Sequence, residues 1–228
     1  MSKQIEDRSP EEVATVIDER LSTFRLAELI ATYFTPSRGF AADTFDTVGD
    51  NDPYAVTCDD LLAVSFLDVS IPPMTARTML GIDRGRVARL LHAVDPDVDL
   101  WEETRSAGPL EAAFELWDWV QSEDYLGVGP VIAGKLLARK RPRLIPIVDS
   151  VVIDSLRAEP MTYWKSIAHA LKTETRRTNI DALRPTCLSP AVTTLRVLDV
   201  AIWMLGSRST AARSVRQEFD VAEPTYRR

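Results

Sequence analysis

The sequence predicts an all-α fold, and three observations lead to that prediction. Apolar residues recur at helical spacing along almost the whole chain. No sustained alternation of apolar and polar residues indicates a strand. Prolines and capping residues stand where helices would begin, as in Ser9-Pro10-Glu11-Glu12. With 228 residues and a hydrophobic fraction of 45%, the chain can bury a full core.

The helical pattern divides the chain into a series of predicted helices. The first begins at Pro10 and continues to Phe34, just before Pro36. The polar segment 36–56 is predicted to be a loop at the edge of a binding cleft. The later predicted helices are one from Thr57 to the Pro72-Pro73 pair, 74–80, 84–93, one opened by Gly108-Pro109, 130–140, 149–158, 161–173, and 190–205 with Ser189 as its cap.

The composition excludes several kinds of site and protein. Only Cys58, Cys187, His92 and His169 offer cysteine or histidine ligands, so a four-cysteine zinc or iron–sulfur site within the chain is excluded. We expect neither a metal nor another cofactor. The N-terminus is charged and lacks an apolar signal region, and no stretch of about 18 apolar residues is present. We therefore expect a cytoplasmic protein without a membrane partner.

The charges are distributed unevenly between the two halves of the chain. The net charge is −7, which by itself argues against a nucleic-acid partner. Residues 1–124 carry 10 basic and 25 acidic side chains, whereas residues 125–228 carry 17 and 9. Such an asymmetry is typical of a chain with one polyanion-binding half. The alternative, that both halves are ordinary solvated surfaces, remains open on charge alone.

A candidate hairpin within residues 124–140 is centred on Gly127-Val128-Gly129. One helix is expected to end near residue 124, and a second to begin after Gly129. Glycine permits the positive φ angles and close backbone approach that such a turn requires. The free N–H groups and the dipole at the start of the second helix suit a phosphate oxygen. The segment could also be a plain connection between two helices.

A run of basic residues follows the two glycines. No acidic residue lies between Tyr125 and Val148, while five lysines and arginines lie there. Cations arranged along a phosphate backbone would make binding depend strongly on salt. We therefore predict duplex DNA as a partner, with backbone contacts from Gly127, Val128, Gly129, Val131, Lys135, Arg139, Lys140 and Arg141.

The segment Leu126–Ala133, L-G-V-G-P-V-I-A, resembles the hairpin of the helix-hairpin-helix DNA glycosylases, the endonuclease III and adenine-glycosylase superfamily. In that superfamily a V-D-T-x-V segment follows, and its aspartate is catalytic. Here V-D-S-V-V, Val148–Val152, occupies that place, with Asp149 twenty residues after Gly129. The resemblance covers residues 125–152 and implies a two-layer, glycosylase-like helical fold with a catalytic Asp149. We also expect the chain to fall within an uncharacterised, chiefly actinobacterial family that shares this hairpin.

The departures from the superfamily pattern limit the activity that the resemblance implies. Val131 stands where bifunctional members carry their Schiff-base lysine, and Lys135 comes about one helical turn later. Leu126 replaces a proline, and Ile132 replaces the usual threonine. The C-terminal four-cysteine cluster of many members is absent. The implied activity is therefore that of a monofunctional N-glycosylase, without a β-lyase step.

Asp149 has two interpretations from the sequence. In a glycosylase, a carboxylate beside the sugar stabilises the positive charge that develops when the base departs. Aspartate is also a common N-cap, and an apolar helix follows Asp149. Candidates for stacking on a base are Tyr125, Tyr163 and Trp164. In contrast, Trp117, Trp119 and Trp203 lie in strongly apolar helical patterns and are predicted to be core residues.

The sequence leaves three hypotheses open for the function. The first is a monofunctional DNA N-glycosylase in which residues 57–148 form a helical bundle, and residues 9–36 and 149–228 form a second layer. The second is a non-catalytic DNA-binding module that has kept the hairpin. The third is a helical interaction protein without a nucleic-acid role. An open cleft around Asp149 would favour the first, and an Asp149 whose oxygens all bond to its own helix would favour the others.

Overall fold

The computed structural model describes residues 7–102, 109–122, 127–158 and 162–222. Within these ranges it contains α-helices, short 3₁₀ turns and a π-helix but no strand, which confirms the all-α prediction. None of the helices described has the length and apolar character needed to cross a membrane. The α-helices are α1 (Pro10–Leu21), α2 (Leu26–Tyr33), α3 (Cys58–Ser65), α4 (Pro73–Arg77), α5 (Arg84–His92), α6 (Pro109–Val120), α7 (Pro130–Lys140), α8 (Ser150–Leu156), α9 (Tyr163–Leu171), α10 (Glu174–Ala182), α11 (Thr194–Gly206) and α12 (Thr210–Glu218).

The long N-terminal helix predicted from the sequence is in fact two helices. A capping box between Ser9 and Glu12 starts α1 at the predicted position. However, α1 ends at Leu21, and Arg25, with a φ of 59°, directly precedes α2. A left-handed residue interrupts a right-handed helix. Because apolar residues keep their helical spacing across the break, the periodicity alone did not reveal it.

The C-terminal part contains two helices that the sequence did not predict. In α10 only Ile180 is buried, and α12 buries a similarly narrow face. Both helices are predominantly polar, so they lack the broad apolar stripe from which the other helices were predicted. The start predicted for the last long helix was also wrong, because α11 begins at Thr194 with Thr193 as its cap, and Pro190 lies in a turn. In contrast, α7 has the bounds predicted for it.

The contacts between helices fall into two groups. In the first, α1 packs against α9, while α2, α8, α10 and α12 pack against α11. In the second, α3 and α6 pack against α7. Nearly every residue of α11 is buried, so this helix lies at the centre of the first group. The division of the chain into two interleaved units stays a prediction.

Candidate functional site

A cleft with a volume of about 670 Å³ lies where α7 and α8 approach α11. This volume is in the usual range for a small-molecule site. Residues 39–42 of the polar N-terminal loop contribute one edge, as expected from the sequence. Its lining includes three aromatic side chains, a lysine and two aspartates, namely Tyr33, Phe40, Trp203, Lys135, Asp149 and Asp199.

Asp149 is the N-cap of α8, and its carboxylate faces the cleft. Its Oδ1 accepts a hydrogen bond from the backbone N–H of Val151 at 2.8 Å. Its Oδ2 lies 3.3 Å from Nζ of Lys135, and 20% of the side chain is exposed. One oxygen is therefore held by the start of the helix, and the other by a cation from a different helix. The carboxylate is fixed in position and remains accessible from the cleft.

Lys135 belongs to the cleft and not to an outer DNA-binding surface, which corrects the sequence prediction. Only 4% of its side chain is exposed. Its ammonium donates to the backbone carbonyl of Leu67 at 2.7 Å in addition to pairing with Asp149. Lys135 lies on the buried side of α7, next to the close contact that Gly134 makes with Val148, where a Cβ would lie 3.0 Å from Cγ2 of Val148. This close approach brings the cation and the carboxylate together.

The other predicted phosphate contacts of the basic run are wrong as well. Arg139, Lys140 and Arg141 are almost completely buried. Asp60, which is also fully buried, pairs with Arg139 at 3.3 Å and with Lys140 at 2.8 Å. A buried cation is tolerated when it is paired and its donors are satisfied. These three side chains are occupied within the protein and do not face a ligand.

The three buried cations hold the polar loop against the end of α7. Arg139 donates to the carbonyls of Phe45 and Val48, both at 2.6 Å. Lys140 donates to Oδ1 of Asn51 at 2.6 Å, and the Asn51 amide returns a bond to the Arg139 carbonyl. Arg141 donates to the carbonyls of Leu91, Pro53 and Val94. We call Arg139, Lys140 and Arg141 the internal clamp.

The opposite, N-terminal end of α7 is exposed. Gly127 has a φ of 84°, and a Cβ there would lie 2.8 Å from Cγ of Pro72, so the predicted need for glycine holds at this position. Gly129 has a φ of −88°, and a Cβ there would meet nothing within 4 Å, so the same prediction is wrong for Gly129. No side chain caps α7, whose first residues, including Val131, are exposed, whereas the Val128 side chain is buried.

The aromatic residues predicted to stack on a base are not the ones that line the cleft. Trp164 is buried and stacks on Phe114, with ring centroids 4.8 Å apart. Tyr163 is buried too, and neither it nor Trp164 lines the cleft, so these two predictions are wrong. Tyr125 lies outside the described residues. The expectation that Trp117 belongs to the core is confirmed.

Three other aromatic side chains form one wall of the cleft. Tyr33 and Phe40 are stacked with centroids 5.1 Å apart, and Trp203 meets both of them edge-on. The assignment of Trp203 to the core was therefore wrong, because it is only partly buried and lines the cleft. Tyr33 and Phe40 were missed because they flank the α2–loop junction, where apolar spacing does not separate a core position from a cleft position.

A buried group of charges lies beside this aromatic wall. Arg196 pairs through Nε with Asp46 at 3.0 Å, through Nη1 with Asp199, and through Nη2 with the Tyr33 hydroxyl at 2.9 Å. Burial raises the pKa of Asp199 to about 6, with Arg196 opposing and Asp149 adding to the shift. The sequence analysis missed Arg196 and Asp199. A charged pair at i and i+3 inside an otherwise apolar helix was the available signal.

A group of exposed cations lies on α4 and α5, in the half of the chain with the acidic excess. Arg77, Arg84 and Arg89 are exposed, and none of them forms an ion pair in the described part of the chain. Pro72, which contacts the hairpin at Gly127, directly precedes α4. The guanidinium of Arg86 lies 5.2 Å from the ring centroid of Trp119, near the end of α6. We call Arg77, Arg84 and Arg89 the outer arginines.

Comparisons with known proteins place the chain in a family but do not assign it an activity. The model of a family of unknown function, DUF6308, matches residues 26–206, a range that includes Lys135, Asp149 and Asp199. No curated protein and no solved structure matches the chain. Among the described residues, no cluster of three or more histidine, cysteine or acidic side chains is arranged to hold a metal ion. Since the match spans well over half of the sequence, the chain belongs to the DUF6308 family.

Proposed function

We propose that this protein binds duplex DNA and acts as a monofunctional N-glycosylase on a base flipped into the cleft. The observation that carries the proposal is the position of Asp149, which is fixed by Lys135 and the start of α8 yet accessible from a cleft large enough to admit a nucleotide. The resemblance of residues 126–133 and 148–152 to the helix-hairpin-helix glycosylases supports the same function.

In the proposed reaction, Asp149 stabilises the sugar while the base departs. Breaking the bond between C1′ and the base nitrogen leaves the electron pair on the base and positive charge on the sugar. A fixed carboxylate lowers the energy of that oxocarbenium-like state. Water then adds its hydroxyl to C1′, and its proton neutralises the departing base. Lys135 acts as a positioning residue, because it holds Oδ2 of Asp149 without itself contacting the sugar.

The proposed DNA face combines the hairpin end of α7 with the outer arginines. The uncapped N-terminus of α7 offers the backbone N–H groups of Val131 and Ile132 to a phosphate. The outer arginines add positive charge on α4 and α5. Val131 lies both at this end of α7 and in the cleft wall, so a nucleotide entering the cleft would pass the hairpin.

The absence of a β-lyase step is part of this proposal, although a lysine is present in the cleft. A Schiff base requires an uncharged amine that is free to attack C1′. The ammonium of Lys135 is paired with Asp149 and bonded to the Leu67 carbonyl. Borohydride added during a reaction is therefore expected to trap no covalent complex between the protein and DNA.

The non-catalytic DNA-binding module is the second candidate. The observation that favours it is the exposed, uncapped N-terminus of α7, which can bind a phosphate without any step at Asp149. The internal clamp removes three cations from the predicted DNA contacts, so binding through this end is expected to be weak. The two candidates differ in whether any base is released.

The test is an incubation with duplexes that each contain one damaged, mispaired or deaminated base. Alkaline cleavage of the products then reveals any abasic site. We expect one or more duplexes to be cleaved by the parent protein and by Asp154→Asn, a matched control on the exposed side of α8. Asp149→Asn is expected to leave the same duplexes intact. A parent protein that binds duplex DNA and releases no base would establish the non-catalytic module instead.

A further inference from the structure

Asp199 is a carboxylate buried in an apolar helix, and one of its oxygens lacks a hydrogen-bond partner within the described part of the chain. Both features are costly for a folded protein. It lies within α11, a helix that is otherwise almost entirely apolar and buried, and only 8% of its side chain is exposed. A buried carboxylate is tolerated when its oxygens are satisfied by hydrogen bonds. One oxygen, Oδ2, accepts from Nη1 of Arg196. The other, Oδ1, is buried without a hydrogen-bond partner among the described residues.

The neighbouring charges do not supply the missing partner. The donors of Arg196 are directed to Asp46, Asp199, Tyr33 and the carbonyl of Ala42. Counting Lys135 and Arg196 against Asp46, Asp149 and Asp199, the group carries one negative charge in excess. Asp199 lines the cleft, and its buried Oδ1 keeps unused acceptor capacity that a ligand donor would satisfy if the carboxylate turned toward the cleft.

The aromatic wall places a flat ligand next to this oxygen. Trp203, which is partly exposed, is one turn after Asp199 on α11, and the nearly buried Phe40 and Tyr33 pack behind it. A base stacked on such a wall presents its polar edge to the groups beside the wall. The terminal torsion of an aspartate is soft, so a small rotation about the Cβ–Cγ bond presents Oδ1 to the cleft.

We propose that Asp199 determines which base the cleft accepts, by accepting a hydrogen bond from an exocyclic amino group. The favoured class is a 6-aminopurine or a 4-aminopyrimidine, since adenine and cytosine carry a donor where guanine and thymine carry a carbonyl. A carbonyl oxygen at that position would bring two hydrogen-bond acceptors together, so a base that carries one is rejected. This inference rests on the proposed function for its biological substrate, but the selectivity itself is a property of binding.

The Asp199→Asn substitution is expected to replace the hydrogen-bond acceptor that faces the cleft by a donor. Arg196 is a donor without acceptor capacity, so the amide oxygen of asparagine must face Arg196. The amide NH₂ then faces the cleft and offers a donor in place of an acceptor. The variant is therefore expected to prefer a carbonyl-bearing base. A residue with only a structural role would not produce this inversion.

The experiment compares three nucleosides by calorimetric titration: 2′-deoxyadenosine, 2′-deoxyinosine and purine 2′-deoxyriboside. They carry an amino group, a carbonyl or a hydrogen at ring position 6, and deoxyinosine also carries a hydrogen on N1. The parent protein is expected to bind deoxyadenosine about tenfold more tightly than either of the others, as for one hydrogen bond to a charged group. Asp199→Asn is expected to bind deoxyinosine most tightly, and Asp154→Asn to behave as the parent.

The outcomes separate this inference from the glycosylase proposal. Nucleoside selectivity that inverts in Asp199→Asn, in a protein that excises no base, would support the inference and remove the glycosylase. Excision with the same base preference in the parent and in Asp199→Asn would support the glycosylase and remove the inference about Asp199. Equal affinities for the three nucleosides, or no binding at millimolar concentrations, would overturn the role of Asp199. Circular dichroism of each variant first establishes that it is folded.

Discussion

The two ends of α7 differ in what they contact, although the sequence assigned both of them to the same DNA-binding segment. At the C-terminal end, the internal clamp directs its cations inward to Asp60 and to backbone carbonyls of the polar loop. At the N-terminal end, the helix is uncapped, exposed and adjacent to the cleft. Lys135 lies between them and bonds to Asp149. A helix whose charged side chains are all basic therefore has one end that stabilises the fold and one end available to a ligand.

This difference teaches that a run of cations does not by itself identify a DNA-binding surface. Arginine has five donors and can bridge several carbonyls that no other group satisfies. A loop such as residues 41–57, with little secondary structure, has many such carbonyls. The cations of the clamp satisfy them. The acidic half of the chain, by contrast, supplies the outer arginines.

The largest effect is expected at the clamped end, on stability. Arg139→Ala leaves Asp60 with one cation in place of two and leaves the carbonyls of Phe45 and Val48 unpaired. Breaking a buried pair of this kind costs about 3–5 kcal/mol. Urea unfolding measures the loss. The matched control, Arg84→Ala, removes an exposed arginine and should change the free energy of unfolding by less than about 0.5 kcal/mol. Equal effects would show that the clamp does not stabilise the fold.

At Asp199, in the cleft near the N-terminal end of α7, we expect an effect on the free energy of unfolding that depends on pH. Because burial raises its pKa to about 6, the folded protein keeps a proton that the unfolded chain has already released. The stability that the protonated form contributes is present below the unfolded pKa and is lost as the pH rises through about 6. Asp199→Asn resembles the protonated form. Its free energy of unfolding should therefore exceed that of the parent by an amount that grows with pH, to about 1–3 kcal/mol above neutrality. A difference that is constant from acid to neutral pH would contradict the shift.

The two hairpin glycines should respond differently to substitution. Gly127→Val forces a β-branched residue to a φ of 84° and against Pro72, so we expect a loss of about 1–3 kcal/mol in stability and a weaker affinity for duplex DNA. Gly129→Ala meets no obstacle and keeps an ordinary φ. It should retain the parent's stability within about 0.5 kcal/mol. Thermal melting and duplex titration measure both quantities. Indistinguishable variants would show that the turn at Gly127 is not constrained.

The smallest expected effect concerns the salt dependence of DNA binding. Replacing the outer arginines together by alanine should reduce the slope of log K against log salt by roughly one unit for each phosphate that is no longer neutralised. Lys172→Ala, an exposed cation at the end of α9, provides the control. An unchanged slope in the triple variant would mean that these arginines do not contact DNA.

The sequence predicted the helical class, the bounds of α7 and the place of Asp149 at a helix start, because these depend on local periodicity and capping. It did not predict the burial of Arg139 or the exposure of Trp203, since both depend on which distant segments pack against their helices. Arg139 is bonded to residues about 90 positions away. Asp199 was missed although its partner Arg196 is three residues away on α11, because the aromatic wall that makes this pair part of a cleft comes from three different elements.

We propose that Asp149 acts in base release while the N-terminal end of α7 acts in DNA binding. The most direct measurement determines the single-turnover rate of base release and the duplex affinity for the parent and for Asp149→Asn. Asparagine caps α8 nearly as well as aspartate, but it leaves Lys135 with the Leu67 carbonyl as its partner. We therefore expect some loss of stability, a folded protein by circular dichroism and an unchanged duplex affinity. The rate should fall about 100- to 1000-fold, the usual effect of removing one electrostatic contact to a transition state. An Asp149→Asn protein that releases the base as fast as the parent would contradict the account.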